Sequence, residues 1–473
     1  MDNSRNGKPR IVIIGAGIAG LSAADHLVRN GLKNVTLLEA TDRIGGRMYT
    51  KEFGGDGRIV ELGANWIHGA AMNNSIFRLA SQHRLLDPYV LLKRVQGHVY
   101  TSTGQAIDPG LTDNIFKLFL QWEDEEGSDK SGLPANSQVY FTQKLKEILE
   151  KSDIKDHLHI ECVVNALINY EQFHRGDHLS LSPSIDTGYE EIPGGNVKVP
   201  KGMISILHSL YDNLPADAVR LGQEACQVLR RDQDVEIMCK FGESYIADHV
   251  IVTCSLGVLK ACHMKMFQPP LPESKQQAIK DIGFGRVNKI FLKYKVPFWV
   301  EGNGGVYLGW KNAELSDKDS KWYKHIFGFD EVMNNPNVLV AWISGAGAEE
   351  LEKLEDQEVK ETCTQLLRQF LKDPSVPYPQ EILRSQWVSN PHTLGSYSYW
   401  NHDTKSNSYH NLLSPVLNSA NEPQLCFAGE ATNPTYYSTM HAARSSGLRE
   451  AERLLQFYRL TPKNQLGEID SKL

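Results

Sequence analysis

The sequence predicts an α/β fold with a doubly wound parallel sheet, and three observations carry that prediction. A β-branched apolar run from Arg10 to Ile14 leads through a glycine-rich turn into Leu21, Ala24, Leu27 and Val28 at helical spacing. A second run, Asn34 to Leu38, then closes a strand–helix–strand unit of about 30 residues. Strand-like apolar runs return in SYIADHVIVTC (244–254) and from Gln424 to Ala428, the latter turning through GEATN into a helix from Met440 to Tyr458.

Between these stretches the character changes. From about Ile76 to Tyr189 the pattern is mostly helical, with FKLFLQW and VYFTQKLKEILEK separated by EDEEGSDKSG, whose acidic run Glu123 to Glu126 reads as a solvated loop. VEIMCKF (235–241) is a further strand, and strands are also expected within Lys289 to Trp310 and His325 to Trp342, before a helix from Glu358 to Lys372. On the closing helix Ala443, Gly447, Ala451, Leu454 and Leu455 share one face.

Composition narrows the class. The 473 residues are 41% hydrophobic and 23% charged, which excludes a largely disordered, collagen-like or coiled-coil chain. Fifty basic and 57 acidic side chains give 50 − 57 = −7, the wrong sign for a general nucleic-acid binder. With no uninterrupted apolar stretch of about 18 residues, no membrane span is expected. MDNSRNGKPR lacks a signal core, and the seven scattered cysteines form no CxxC pair, so the expected setting is a reducing compartment with no structural metal.

Gly15, Gly17 and Gly20 form GxGxxG between the first strand and the helix. The first allows the tight turn, the second lets a pyrophosphate approach the backbone, and the third lets helix pack on strand, while the helix N-terminus offers amides to phosphate. Glu39, at the end of the second strand, is placed to accept hydrogen bonds from a ribose diol. Strand, turn, helix and acid together point to a dinucleotide, without separating NAD from FAD.

The continuation EATDRIGGRMYT (39–50) resembles the second fingerprint of FAD proteins of the amine oxidase superfamily. The resemblance extends through ELGANWIHG (61–69), EEIPGG (190–195), ADHVIVTCSLGVLK (247–260), NKIFLKYKVPFW (288–299), SNPHTLGSYSY (389–399) and FAGEATNPTYYSTMHAARSSG (427–447). Together these are similar to the animal polyamine oxidases, the group of spermine oxidases and N1-acetylpolyamine oxidases. The family implies non-covalent FAD, a polyamine oxidised at a secondary amine, and O2 as acceptor, giving an aldehyde, a shorter polyamine and H2O2.

The resemblance also implies roles. Arg47 meets the flavin pyrophosphate beside the turn of Gly15, Gly17, Ala19 and Gly20, Glu39 takes the ribose, and Ala225 falls where the family usually has a valine whose backbone meets adenine. Asn65, Trp66, Ile67 and His68 lie against the flavin, Glu430 on its ribityl side, and Thr439 and Met440 at its ring, where the closing helix aims its N-terminal amides. Lys289 corresponds to the family lysine that reaches the flavin through a water; read alone, a lysine in an alternating strand is a solvated residue, as expected of Lys293 and Lys295. His68, Glu191, Ser438 and Thr439 face the substrate, Glu191 toward its distal ammonium, although an acid before IPGG could equally cap a turn. Ser396 stands where monoamine oxidases carry a flavin-linked cysteine, and Val287 where some relatives place a polar residue.

The implied architecture is a Rossmann-like FAD-binding domain (1–80, 195–288 and 385–473) interleaved with a mixed α+β substrate-binding domain (81–194 and 289–384), the amine oxidase fold, with the site where they meet. An FAD oxidase for a different amine, or a flavin-binding protein without turnover, are the rival readings. The final Ser471, Lys472 and Leu473 form the SKL tripeptide read by the peroxisomal import receptor, with the cytoplasm as the alternative address. The expected state is a monomer.

Overall fold

The computed structural model describes residues 9–86, 91–92, 97–126, 133–185, 187–300, 305–315 and 321–460; the terminal SKL and residues 127–132 of the acidic segment lie outside them. Strand Ile11–Ile14 lies inside a six-stranded sheet ordered Val416–Leu417, Pro423–Phe427, His249–Val252, Ile11–Ile14, Val35–Leu38, Val219–Arg220. Neighbours run parallel except the edge pair Val416–Leu417 with Pro423–Phe427, which is antiparallel. All four side chains of Ile11–Ile14 are buried, as a parallel sheet covered on both faces requires. The pleat divides them. Ile11, Ile13, Leu37 and Ile251 enter one core with helices Ile18–Arg29 and Met440–Phe457, whereas Val12, Ile14, Leu38, Val250 and Val252 enter another. Those two helices touch backbone to backbone: a Cβ on Gly447 would stand 2.1 Å from the Ala19 carbonyl oxygen.

The run SYIADHVIVTC is two strands, not one. Ser244–Ala247 belongs to a four-stranded sheet and His249–Val252 to the central one. The break falls at Asp248, whose carboxylate accepts the Arg10 backbone N–H at 2.7 Å and its guanidinium at 2.8 Å. An ion pair at the sheet entrance interrupts what apolar periodicity reads as continuous.

A second six-stranded sheet is ordered Glu381–Arg384, Val287–Lys293, Asn335–Ser344, Ile326–Val332, Gly305–Gly309, Gly97–Thr101. It is antiparallel except for the last pair. Gly97–Thr101 lies within the stretch expected to be mostly helical. It pairs because Gly97 faces Gly305 where a Cβ would stand 2.4 Å from the partner's carbonyl oxygen, so paired glycines let the strands close.

Helices Pro109–Glu126, Ser137–Lys151 and His157–Arg175 cover this sheet. Here the expectation of a solvated acidic loop is corrected: Glu123 to Glu126 form the last turn of the first of these helices. Glu126 is buried, accepting from Arg175 Nη2 at 2.6 Å and Ser184 Oγ at 2.9 Å. A carboxylate is tolerated there because the same guanidinium also binds Glu171 at 2.7 Å, so the cluster is paired and hydrogen-bonded. All seven cysteines are unpaired. No helix among the described residues is long and apolar enough to cross a membrane.

Candidate active site

A cavity of about 1220 Å³ runs from the glycine turn, past the second sheet, to an open rim. At one end the glycine turn holds Gly15 at φ +108°, where a Cβ would stand 2.5 Å from Thr253 Oγ1. A Cβ on Gly17 or Gly46 would meet nothing nearer than 3.9 Å, and one on Gly429 nothing within 4 Å, so three backbone stretches lie open to a ligand. Helix Ile18–Arg29 starts at Gly17 with no side-chain cap, leaving its N-terminal end to the cavity. Glu39 braces the turn: Oε2 accepts from Ala16 N–H at 2.9 Å, while Oε1 accepts from the Thr41 hydroxyl at 2.7 Å and its N–H at 2.9 Å. Ala19 and Ala225 also line this end.

Midway, Glu430 ties three segments together. One oxygen accepts from Arg47 Nη1 at 2.8 Å; the other accepts from Ser398 Oγ at 2.6 Å and Ser438 N–H at 2.8 Å. Arg47 Nη1 also donates to the Ser396 carbonyl at 2.7 Å. Ser438 is held at φ +69° just before the closing helix, with its hydroxyl on the Ser398 carbonyl. Thr439 caps that helix, Oγ1 accepting from Ala442 N–H at 3.1 Å and donating to the Tyr436 carbonyl at 2.7 Å. The Ser396 hydroxyl accepts from Val287 N–H at 2.7 Å and donates to its carbonyl at 3.0 Å, joining the segment to the second sheet.

Lys289 lies on strand Val287–Lys293, where six of seven residues are buried; its own exposure is 4%. Nζ donates to the carbonyls of Glu61 and Gly63, each at 2.6 Å, and lies 4.4 Å from the centre of the Trp342 ring. Burial pushes this amine well below the usual lysine range, Glu61 pulls it back up and Lys198 pushes it further down. Trp342 stacks on Trp66 at 5.2 Å and packs against Phe173 at 4.7 Å, while Trp387 Nε1 holds the Leu62 carbonyl at 2.9 Å. Lys293, four residues on, is paired with Glu381 at 2.5 Å, and Lys295 is exposed.

On the cavity wall, Asn196 Oδ1 stands 2.9 Å from His68 Nδ1. Since a carbonyl oxygen only accepts, Nδ1 carries the hydrogen and a neutral ring keeps Nε2 as its acceptor. Burial lowers the affinity of His68 for a proton, opposed by the Asn196 bond and by Glu191. Glu191 is exposed, beside Glu190 on the cavity wall.

Fifteen of the residues expected here line this one cavity: Gly15, Gly17, Ala19, Glu39, Arg47, Asn65, Trp66, His68, Glu191, Ala225, Lys289, Glu430, Ser438, Thr439 and Met440. Gly20 and Ile67 do not. Gly20 instead seats the helix on the turn, since a Cβ there would stand 2.0 Å from the Gly15 carbonyl oxygen. Ile67 turns into the core under the parallel sheet. Glu61, Phe173, Trp342, Trp387 and Tyr397 received no individual role from the sequence. All but Glu61 line the cavity, and Tyr397 donates its hydroxyl to the Phe173 carbonyl.

The model of the family described as flavin containing amine oxidoreductase matches residues 18–455. The chain belongs to this family. It is a flavin-dependent oxidoreductase. Among its relatives, peroxisomal N(1)-acetyl-spermine/spermidine oxidase of Bos taurus is 32% identical over 95% of both chains. Polyamine oxidase 1 of Oryza sativa is 31% identical over 96% of this chain and 98% of its own. A solved structure of a putrescine oxidase, redesigned in its cofactor binding, superposes with a TM-score of 0.68 at 19% identity, covering 95% of this oxidoreductase and 99% of that chain, and so shares its fold. The residues of the oxidoreductase fit a flavin: open glycine backbones and an uncapped helix end suit phosphates, and a second helix N-terminus, at Thr439 and Met440, borders the same cavity as Lys289. Bound there, a flavin supplies the two-electron acceptor that side chains lack.

Proposed function

We propose that this oxidoreductase holds FAD without a covalent bond and oxidises a polyamine at a secondary amine, with O2 as acceptor, giving an aldehyde, a shorter polyamine and H2O2. The observation that carries the reading is the single cavity, which joins a dinucleotide turn to a buried lysine and then to a wall bearing His68 and Glu191. Gly15, Gly17, Ala19, Glu39, Arg47 and Ala225 take the nucleotide half, with Gly20 supporting the turn. Asn65, Trp66, Glu430, Thr439 and Met440 frame the flavin ring and ribityl chain, with Ile67 anchoring its motif in the core under the parallel sheet. Trp66, Trp342 and Phe173 exclude water and cover methylenes, while Glu191 attracts a distal ammonium. His68 Nε2 accepts a hydrogen bond from a substrate nitrogen beside Ser438 and Thr439. The buried Lys289 amine, biased toward its neutral form, positions a water and exchanges a proton with it. These roles divide the chain into the FAD-binding domain 1–80, 195–288 and 385–473 and the substrate-binding domain 81–194 and 289–384, working as a monomer.

The test is peroxide release with spermine, spermidine and their N1-acetyl forms, ranked by kcat/KM; at least one should exceed a simple monoamine by about a hundredfold, and no peroxide from any would overturn the reading. Because Ser396 offers no thiol, acid precipitation should leave yellow FAD in the supernatant. Flavin retained in the pellet would refute the non-covalent link.

We further assign the enzyme to peroxisomes through Ser471, Lys472 and Leu473. The Bos taurus relative carries that compartment in its name. Deleting Leu473 should return the enzyme to the cytosol with its activity intact, whereas unchanged distribution of the truncated chain would sink the assignment.

A further inference from the structure

Behind Lys289 the structure sets a half-buried line of charges that the proposed roles leave unused. The Glu61 carboxylate faces away from the cavity: Oε1 accepts the Met203 N–H, at the start of helix Ile204–Tyr211, at 2.7 Å and the Thr50 hydroxyl at 2.9 Å. Its backbone carbonyl faces the other way, onto Lys289 Nζ. One residue therefore touches the lysine through its main chain while its side chain is pinned by two other segments. Beyond it lies Lys198, whose amine burial pushes down and the charges of Asp330 and Glu61 pull back up, and Asp330 accepts from Tyr307 Oη at 2.9 Å and Trp342 Nε1 at 3.1 Å. Trp342 closes the loop, because its ring covers Lys289. Along Lys289, Glu61, Lys198 and Asp330 the charges alternate in sign.

We propose that Glu61 is a positioning residue for Lys289: its carbonyl seats Nζ, and its carboxylate, pinned by Met203 and Thr50, is the counter-charge to that amine. Clamping of the carboxylate by Met203 and Thr50 fixes the first effect, since any shift of the side chain would drag the carbonyl with it. Covalent geometry fixes the second, because the carbonyl on Nζ and the pinned carboxylate belong to one residue, so the negative charge stays a few bonds from the amine; beneath the larger effect of burial, Glu61 favours the charged amine and Lys198 opposes it. Glu61 itself is pushed up by burial and pulled down by its hydrogen bonds to Met203 and Thr50, then by Lys289 and Lys198. The consequence for turnover rests on the oxidase reading above; the state of Lys289 does not.

Glu61→Gln keeps an oxygen for Met203 and Thr50 and removes the charge. The flavin-free protein, labelled competitively with acetic anhydride across pH and read at the Lys289 peptide by mass spectrometry, reports the protonation midpoint of Nζ directly. In Glu61→Gln that midpoint should fall by about one pH unit, the order expected for one lost counter-charge. In Lys198→Met, a second variant should Glu61→Gln fold poorly, it should rise instead. In the loaded enzyme, the ionisation that Lys289→Met removes from the pH profile of flavin reduction should move the same way in Glu61→Gln, and the double variant should match Lys289→Met alone. A labelling midpoint unmoved in either single variant overturns the proposal, even if every variant oxidises polyamines. Absence of polyamine oxidation with a shifted midpoint would overturn the oxidase reading instead.

Discussion

Replacing Lys289 by methionine should slow flavin reduction by polyamine at least about ten-fold while leaving the flavin bound, a loss of about 1.4 kcal/mol of barrier stabilisation. Methionine fills much of the same volume beneath Trp342 and removes a buried amine that is costly to charge. Against that gain, the carbonyls of Glu61 and Gly63 lose a donor, at about 1–3 kcal/mol for groups left unsatisfied. The two changes oppose each other, so melting should stay near that of the native enzyme. Stopped-flow mixing without oxygen gives the reduction rate, and mixing reduced enzyme with oxygen gives the reoxidation rate. Unchanged rates in both half-reactions would refute any role for Lys289 on the flavin side.

Arg175→Met carries the largest stability effect expected of a residue outside the cavity. Its guanidinium serves Glu126, Glu171 and the Ser137 hydroxyl at 2.6, 2.7 and 2.8 Å. Both carboxylates are buried, so removing the cation leaves two like charges facing each other out of water. The loss should be about 3–5 kcal/mol in chemical denaturation. Adding Glu126→Gln should return part of it, by relieving the repulsion. The site should feel the change too, because Phe173, two residues before Arg175, packs on Trp342. A loss below about 1 kcal/mol would mean that water reaches the cluster and solvates both acids.

What could be read from the sequence follows the range over which its signals act. The glycine turn, Glu39 and the uncapped helix lie within one strand–helix–strand unit, and local periodicity with turn chemistry defines them. Lys289 was reached through resemblance; alternation alone favours a solvated lysine, as at Lys295, and tertiary burial by Trp342 reverses that. Glu61 opens the ELGANWIHG motif, yet its side chain points to Met203 and Thr50, partners that only the folded chain supplies. Trp342 and Phe173 come from a strand and a helix that the second sheet brings together, a pairing of high sequence separation. Strand Gly97–Thr101 escaped because two glycines, normally strand breakers, permit its closure. Ile67 shows the opposite failure: the motif around it faces the cavity while its own side chain alternates into the core.

Polyamine oxidation by a bound flavin is tested most directly by the visible spectrum of the purified enzyme mixed anaerobically with N1-acetylspermine or spermine, followed by admission of oxygen. The absorbance of bound flavin should be lost with at least one of the two and return with oxygen, with peroxide formed in proportion to substrate consumed. A flavin spectrum that neither polyamine changes, in protein fully loaded with FAD, would contradict it.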